Sequence, residues 1–230
     1  VPTRGPVEAG AVGMSAATLR HSGLVQANAV EVADGRVWLK ARDAVEVSGT
    51  VIARAGDKGG EIVVTGPKTL VASNAVLDAS GARGGGNVFV GGGWQGKNPA
   101  IENAQETRVE QGATLKADAI EVGEGGTVVV WSDGNTTTHG ALSARGGAQG
   151  GNGGKVGTSG RKLVRSGLPD VRAPKGNAGT WLLDPDHVAI VADSSGTNFL
   201  AFVPPADATV VTESEFENFQ GNLLIEARYS

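Results

Sequence analysis

Two glycine-rich stretches carry spacings that suit nucleotide chemistry. Gly91, Gly93 and Gly96 stand as Gly-x-Gly-x-x-Gly. That spacing cradles a pyrophosphate only where a helix opens on the last glycine and aims its amides at the ligand. Asn98-Pro99 follows at once and forbids the helix. The run from Gly146 to Lys155 invites a phosphate-loop reading. It fails because Gln149 stands where glycine is needed and Val156 where a Ser or Thr would hold Mg²⁺.

The other reactive residue types are just as unpromising. There is no cysteine, which excludes disulfides, thiolate metal sites and thiol nucleophiles. His21, His139 and His187 share no metal-binding spacing and are expected to be solvated or turn residues. No Gly-x-Ser-x-Gly occurs, and Asp184-Pro185-Asp186 reads first as a turn. Arg54, Arg83 and Arg145 each follow an aliphatic-x-Ala motif. Aligned in a column, they could take an anionic glycan or simply keep a sheet edge charged. Glu213, Glu215 and Glu217 are expected on the solvated face of a helix. The sequence thus predicts no catalytic residue, no cofactor and no metal. With 20 Lys plus Arg against 24 Asp plus Glu, a net charge of −4 offers no basic face for nucleic acid.

What must hold these residues is a repeat. In 230 residues there are 37 glycines and only ten aromatics (five Phe, four Trp, one Tyr). An aliphatic residue, any residue and then alanine recur at Val25, Val51, Leu77, Leu115, Leu142 and Val171, at intervals of 26, 26, 38, 27 and 29 residues. A second pattern, Gly-x-aliphatic-x-aliphatic, opens at Gly35, Gly60, Gly86 and Gly126, more weakly at Gly154, and closes at Gly179. From each of these glycines to the next aliphatic-x-Ala the distances are 16, 17, 29, 16 and 17 residues. Both patterns alternate with period 2, so both read as strands with one inward face. Short strands also fall at Val45–Val47, Leu70–Val71 and Leu163–Val164.

Three short strands and three turns in about 26 residues make one coil of a parallel β-helix. The fold class is therefore all-β, a right-handed parallel β-helix of about six to seven coils over residues 1–191. An antiparallel sandwich is the alternative, disfavoured because Asp34-Gly35 and Asp133-Gly134 sit at corners of the repeat. The six pattern glycines are structural, and glycine at the corners is expected to supply positive φ. The long interval marks a loop insertion at about 91–106, with Trp94 as its anchor. Gly93, Trp94, Gln95, Lys97 and Asn98 are the candidate surface-binding residues, because an insertion in a stack is where function concentrates.

Residues 192–230 are expected to form an altered terminal coil or cap with a short helix and a final strand, or else an ordinary further coil. Thr212 and Glu215 make a capping-box pattern, with Phe216 and Phe219 on one side of the helix. Phe199 and Phe202 precede Pro204-Pro205, and Leu223–Ala227 is the last strand. Val1-Pro2-Thr3-Arg4 opens without a secretion signal, which suggests a processed chain or a fragment.

Gly91-Gly-Gly-Trp94-Gln-Gly-Lys97 with Asn103-Ala104, and Gly125–Asp133, resemble the filamentous haemagglutinin-like exoproteins of two-partner secretion. So do Leu142–Gly147 with Gly153-Gly154, and Gly179-Thr-Trp-Leu-Leu-Asp184-Pro185. The likeness spans roughly residues 80 to 190 and suggests a segment downstream of the family's secretion module. It implies a right-handed parallel β-helix in a secreted protein at the bacterial surface. It also implies an outer-membrane transporter as partner and adhesion to a host or cell-surface glycan or receptor. Two other readings stay open: a filament subunit associating end to end with its own copies, and a glycan-active β-helix enzyme.

Overall fold

The computed structural model describes residues 2–3, 7–29, 35–193 and 206–227. Among these residues the chain winds into an all-β parallel solenoid of about six turns with one short helix, α1 (Glu213–Asn218). Phe199 and Phe202 lie outside the described residues.

One ladder stacks Ala11–His21, Arg36–Val47, Glu61–Thr65, Asn87–Val90, Thr127–Trp131, Lys155–Gly160, Thr180–Pro185 and Asn222–Ile225. Beyond a corner, the same sheet continues as Lys68–Val71, Glu106–Val109, Asn135–Thr138 and Lys162–Arg165. A second sheet stacks Val7–Ala9, Leu24–Ala29, Thr50–Ala55, Val76–Asp78, Thr114–Lys116 and Ala141–Ser143.

The register is strict. Val12, Val37, Ile62, Val88, Val128, Val156, Trp181 and Leu223 form one column, and Met14, Leu39, Val64, Val90, Val130, Thr158, Leu183 and Ile225 the next. From Val37 to Trp181 and from Leu39 to Leu183 both columns are buried, as the period-2 pattern predicts. The core is thus a stack of aliphatic layers, each covered by the coil on either side.

Past the corner the inward column reads Val45, Thr69, Thr107, Thr136 and Leu163. Three buried threonines lie in it because each hydroxyl donates to a carbonyl, such as Thr107 Oγ1 to Trp131 O at 2.7 Å and Thr136 Oγ1 to Ser159 O at 2.7 Å. A satisfied hydroxyl costs little in a core.

Two sequence expectations need correcting. The sixth aliphatic-x-Ala is out of step by two residues. Ser143 bridges to Asp170, so Val171 lies under Ala144 and not under Leu142. Gly179 N donates to Val171 O at 2.7 Å, just as Gly154 N donates to Ala144 O at 2.7 Å. A larger residue fits that small position because Gly221 backs it, where a Cβ would stand 2.7 Å from Val171 Cγ2.

The pattern glycines are also structural for a different reason. None of Gly35, Gly60, Gly86, Gly126, Gly154 and Gly179 has positive φ. Instead a Cβ at Gly126 would fall on the carbonyl oxygen of Gly86, and the same holds up the stack for Gly86 on Gly60 and Gly154 on Gly126. The glycine before each presses on the next coil: a Cβ at Gly85 would meet Ala117 O, and one at Gly125 would meet Ala144 O. Diglycine therefore marks a corner crowded from both sides. At the last such corner, Ala178-Gly179, alanine takes the first place.

Candidate functional site

The insertion leaves the stack at one corner. The coil before it turns there on Gly66-Pro67, and the coil after it on Asp133-Gly134. Gly91 N still donates to Val64 O at 2.8 Å, and Gln105 N to Pro67 O at 2.9 Å, so the coil keeps its register on both sides. Ala104 N closes the loop onto Gly91 O at 2.7 Å. Gly91 has φ 76, and a Cβ there would fall on Trp131 O. Only glycine fits.

The loop then folds back over the outer face of the first ladder. On that face Val63, Phe89 and Val129 stand in one column and are all buried, together with Ile101 and Trp131. Outward apolar residues in a sheet need a cover, and the loop supplies it. Trp94 packs over Gly157, whose missing side chain makes room: a Cβ there would stand 3.2 Å from Trp94 Cζ3. The Lys155 ammonium sits 6.0 Å from the Trp94 ring centroid. Polar bonds pin the loop further. Asn103 Nδ2 donates to Gly96 O and to Asp133 Oδ1, both at 3.0 Å, and Trp131 Nε1 donates to the same Asp133 oxygen at 3.1 Å.

The sequence-predicted loop residues divide accordingly. Gly93 is buried, and a Cβ on it would meet Asn98 Cβ at 2.6 Å. Trp94 and Gln95 are half-buried in a 3₁₀ turn, Trp94–Gly96, with Gln95 at φ 55. Gln95 Nε2 donates to Glu226 Oε2 at 2.6 Å, tying the loop to the final coil. Lys97 and Asn98 are exposed, Lys97 donating to Gln95 Oε1 at 2.9 Å and Asn98 Oδ1 accepting from Ala100 N at 3.0 Å. The exposed stretch of the loop runs from Lys97 to Ala100, with Glu102 and Gln105 exposed beyond it.

The arginines do not form the column their motifs suggested. Arg54 and Arg145 share a register position with Ser80, Asp118 and Arg172, whereas Arg83 sits in a turn three residues beyond Ser80. Arg54 donates to Ser80 O at 2.7 Å, and Arg145 lies 3.6 Å from Asp170. This edge is a mixed-charge ladder. Within it Asp118 accepts from Arg145 N at 2.7 Å and Ser143 Oγ at 3.1 Å. Burial still raises its carboxyl above the usual range. Asp170 is lowered by its bonds to Arg172.

Two further expectations change. His21 is buried, not solvated, which lowers its basicity against the opposing pull of the Thr50 and Gly23 carbonyls. Glu215 is no solvated helix residue: it pairs with Arg165, whose side chain is only 4% exposed. The helix expected to carry both phenylalanines ends before the second: Phe219, extended just past α1, packs edge-on to Trp181 with centroids 5.3 Å apart, while Phe216 within α1 is exposed. A residue of β-sheet pattern gave no hint that Arg165 would turn inward.

Among the described residues no group of three or more His, Asp or Glu could hold a metal, and no helix is long and apolar enough to cross a membrane.

No family model matches the chain, and no curated protein matches it. It is similar to the crystal structure of the HMW1 secretion domain from Haemophilus influenzae, at 29% identity and a TM-score of 0.60 over 80% of this chain. The chain spans about half of that structure, 49% of its length. The resemblance to filamentous haemagglutinin-like exoproteins of two-partner secretion is borne out; the motif residues Gly91–Lys97 lie in the loop that covers the solenoid flank, with Trp131 beneath it and Asp133 bonded to it. A place downstream of the secretion module finds no support in this likeness, which is to a secretion domain.

Proposed function

We propose that this chain is a non-enzymatic structural segment of a secreted bacterial exoprotein, exported through an outer-membrane transporter partner and displayed at the cell surface. The observation that carries this reading is the likeness to the HMW1 secretion domain over 80% of the chain. The lack of cysteine agrees with it, since a chain threaded unfolded through a pore must not cross-link on the way. So does the architecture. Each coil is incomplete without its neighbour, so folding can propagate coil by coil as a chain emerges.

Adhesion belongs to the same proposal, with the loop tip from Lys97 to Ala100 as its contact surface for a cell-surface glycan or receptor. End-to-end association of copies is the other surface role.

The deciding experiment places the chain, behind a secretion signal, in cells with and without the transporter encoded alongside the parent protein. Chain appearing in the medium only with the transporter is the expected result. Equal amounts with and without it would end the export reading. Turnover of a glycan, abolished by replacing one Asp or Glu, would end the non-enzymatic one.

A further inference from the structure

We infer that the solenoid binds one internal water molecule, held between Arg165, Thr138 and Thr158 where two inward columns turn polar. The site lies inside the coils, and transporter-dependent export stands or falls without it.

The two columns change character in neighbouring coils. One reads Val47, Val71 and Val109, then Thr138 and Arg165. The other reads Leu39, Val64, Val90 and Val130, then Thr158. Thr138 and Thr158 are 3% and 1% exposed, and Arg165 is buried with them. Valine would fill either threonine position as well, so the cost of burying the hydroxyls must be met by bonds.

Elsewhere in the core it is. Thr69 Oγ1 donates to Gly66 O at 3.0 Å, and Thr107 and Thr136 donate to carbonyls in the same way. Thr138 Oγ1 has no hydrogen-bond partner among the described residues, and neither has Arg165 Nε. Glu215 takes the protons of Nη1 and Nη2 of that guanidinium and leaves the one on Nε. Thr158 Oγ1 accepts from Trp181 Nε1 at 2.9 Å, which leaves its own proton to give.

The three side chains line one narrow pocket of about 20 Å³, with Leu142 and Trp181 among its other walls. That volume takes a single water and little more. Thr138 and Arg165 are partners on the ladder, and neighbouring strands stand about 4.8 Å apart. One molecule making two bonds of about 2.8 Å spans that gap. The water accepts from Arg165 Nε and Thr158 Oγ1 and donates to Thr138 Oγ1. Three bonds are what a buried water ordinarily makes.

An anion would meet the same donors. Glu215 already answers the guanidinium charge, however, and a second negative charge in the core would have nothing to oppose it. The pocket therefore selects a neutral ligand.

A crystal structure of the full chain tests this, with a parallel crystal grown in sodium bromide. One solvent peak is expected in the pocket, about 2.5–3.2 Å from Arg165 Nε, Thr138 Oγ1 and Thr158 Oγ1, with no anomalous signal in bromide. An empty pocket beside ordered neighbouring waters would overturn the inference, and so would an anomalous bromide peak there. Thermal melting of Thr138→Val gives a second reading, carried by its sign. In a dry pocket valine removes an unbonded hydroxyl and raises the melting temperature. With the water in place valine takes away one of its three partners and should lower the melting temperature by a few degrees. A rise or no change counts against the water. If Thr138→Val does not fold, the two crystals decide alone.

Discussion

The guanidinium of Arg165 points into the solenoid and clasps Glu215 through two bonds, Nη1 to Oε1 at 2.8 Å and Nη2 to Oε2 at 2.7 Å. Arg165 ends the inward column of Val47, Val71, Val109 and Thr138 with a charge. Its guanidinium carbon lies 4.8 Å from the Trp181 ring centroid, and Glu215 Oε2 also accepts from Thr212 N at 3.0 Å, closing the capping box of α1. One bidentate pair thus joins the core to the helix that follows it.

The first prediction concerns this pair. Glu215→Gln leaves a buried guanidinium without a counter-charge and should cost about 2–3 kcal/mol, below the usual range for a fully buried pair because water reaches Glu215. Arg165→Met, which fills the site without charge, should cost less. Burial alone would raise the Glu215 carboxyl, but the bonds from Arg165 and Thr212 overcome this and hold it below its ordinary value. Its contribution is therefore present above the unfolded carboxylate pKa and is lost as pH falls through the folded one. Melting temperature measured from neutral pH into acid should fall more steeply in wild type than in Glu215→Gln. Parallel curves would refute the assignment.

The core was legible in the sequence because both of its determinants are local and periodic. Alternation fixed the inward residues from Val37 to Leu183, and the break in interval located the loop. Arg165 was hidden because it sits in a strand pattern, Lys162-Leu-Val-Arg165, whose neighbour Val164 is the exposed one. Only the partner 50 residues away makes an inward arginine tolerable. Val171 was misplaced because aliphatic-x-Ala reads the same in either register, and the deciding contact comes from Gly221. The cover over Val63, Phe89 and Val129 was equally hidden: sequence names the loop but not the face on which it lies.

The second prediction is a cavity. Val128 is buried between Val88 and Val156, which a rigid ladder holds in place. Val128→Ala should cost on the order of 1–4 kcal/mol, since the coils cannot collapse around the gap. Chemical denaturation, with the slope unchanged, measures it. A loss within error would mean that the column relaxes.

The third prediction separates close approach from backbone freedom. Gly126→Ala requires no unfavourable φ but drives a methyl into the Gly86 carbonyl. The coils must part, at a cost of about 2–3 kcal/mol. Gly10→Ala, where a Cβ meets nothing within 4 Å, is the matched control and should be near neutral. Equal stability of the two variants, compared by thermal melting, would remove the crowding argument.

The last prediction divides the roles of the 91–106 loop. Its inward residues Ile101 and Trp94 cover an apolar face, while Lys97 and Asn98 face solvent. Ile101→Ala should therefore destabilise by about 2–4 kcal/mol, with little change in what the surface presents. The pair Lys97→Ser and Asn98→Ala should leave stability within about 0.5 kcal/mol, because neither side chain touches the covered face. Replacing residues 92–104 by a short glycine turn should preserve the coils, whose register is held by the Gly91 and Gln105 bonds on either side. It should also uncover Val63, Phe89 and Val129, seen as increased binding of a hydrophobic dye. Adhesion of cells displaying the parent protein then decides the contact role. Loss of adhesion in the tip variant, with stability unchanged, assigns binding to the tip. Adhesion that survives the tip variant but follows stability in Ile101→Ala would leave the loop as a cover alone.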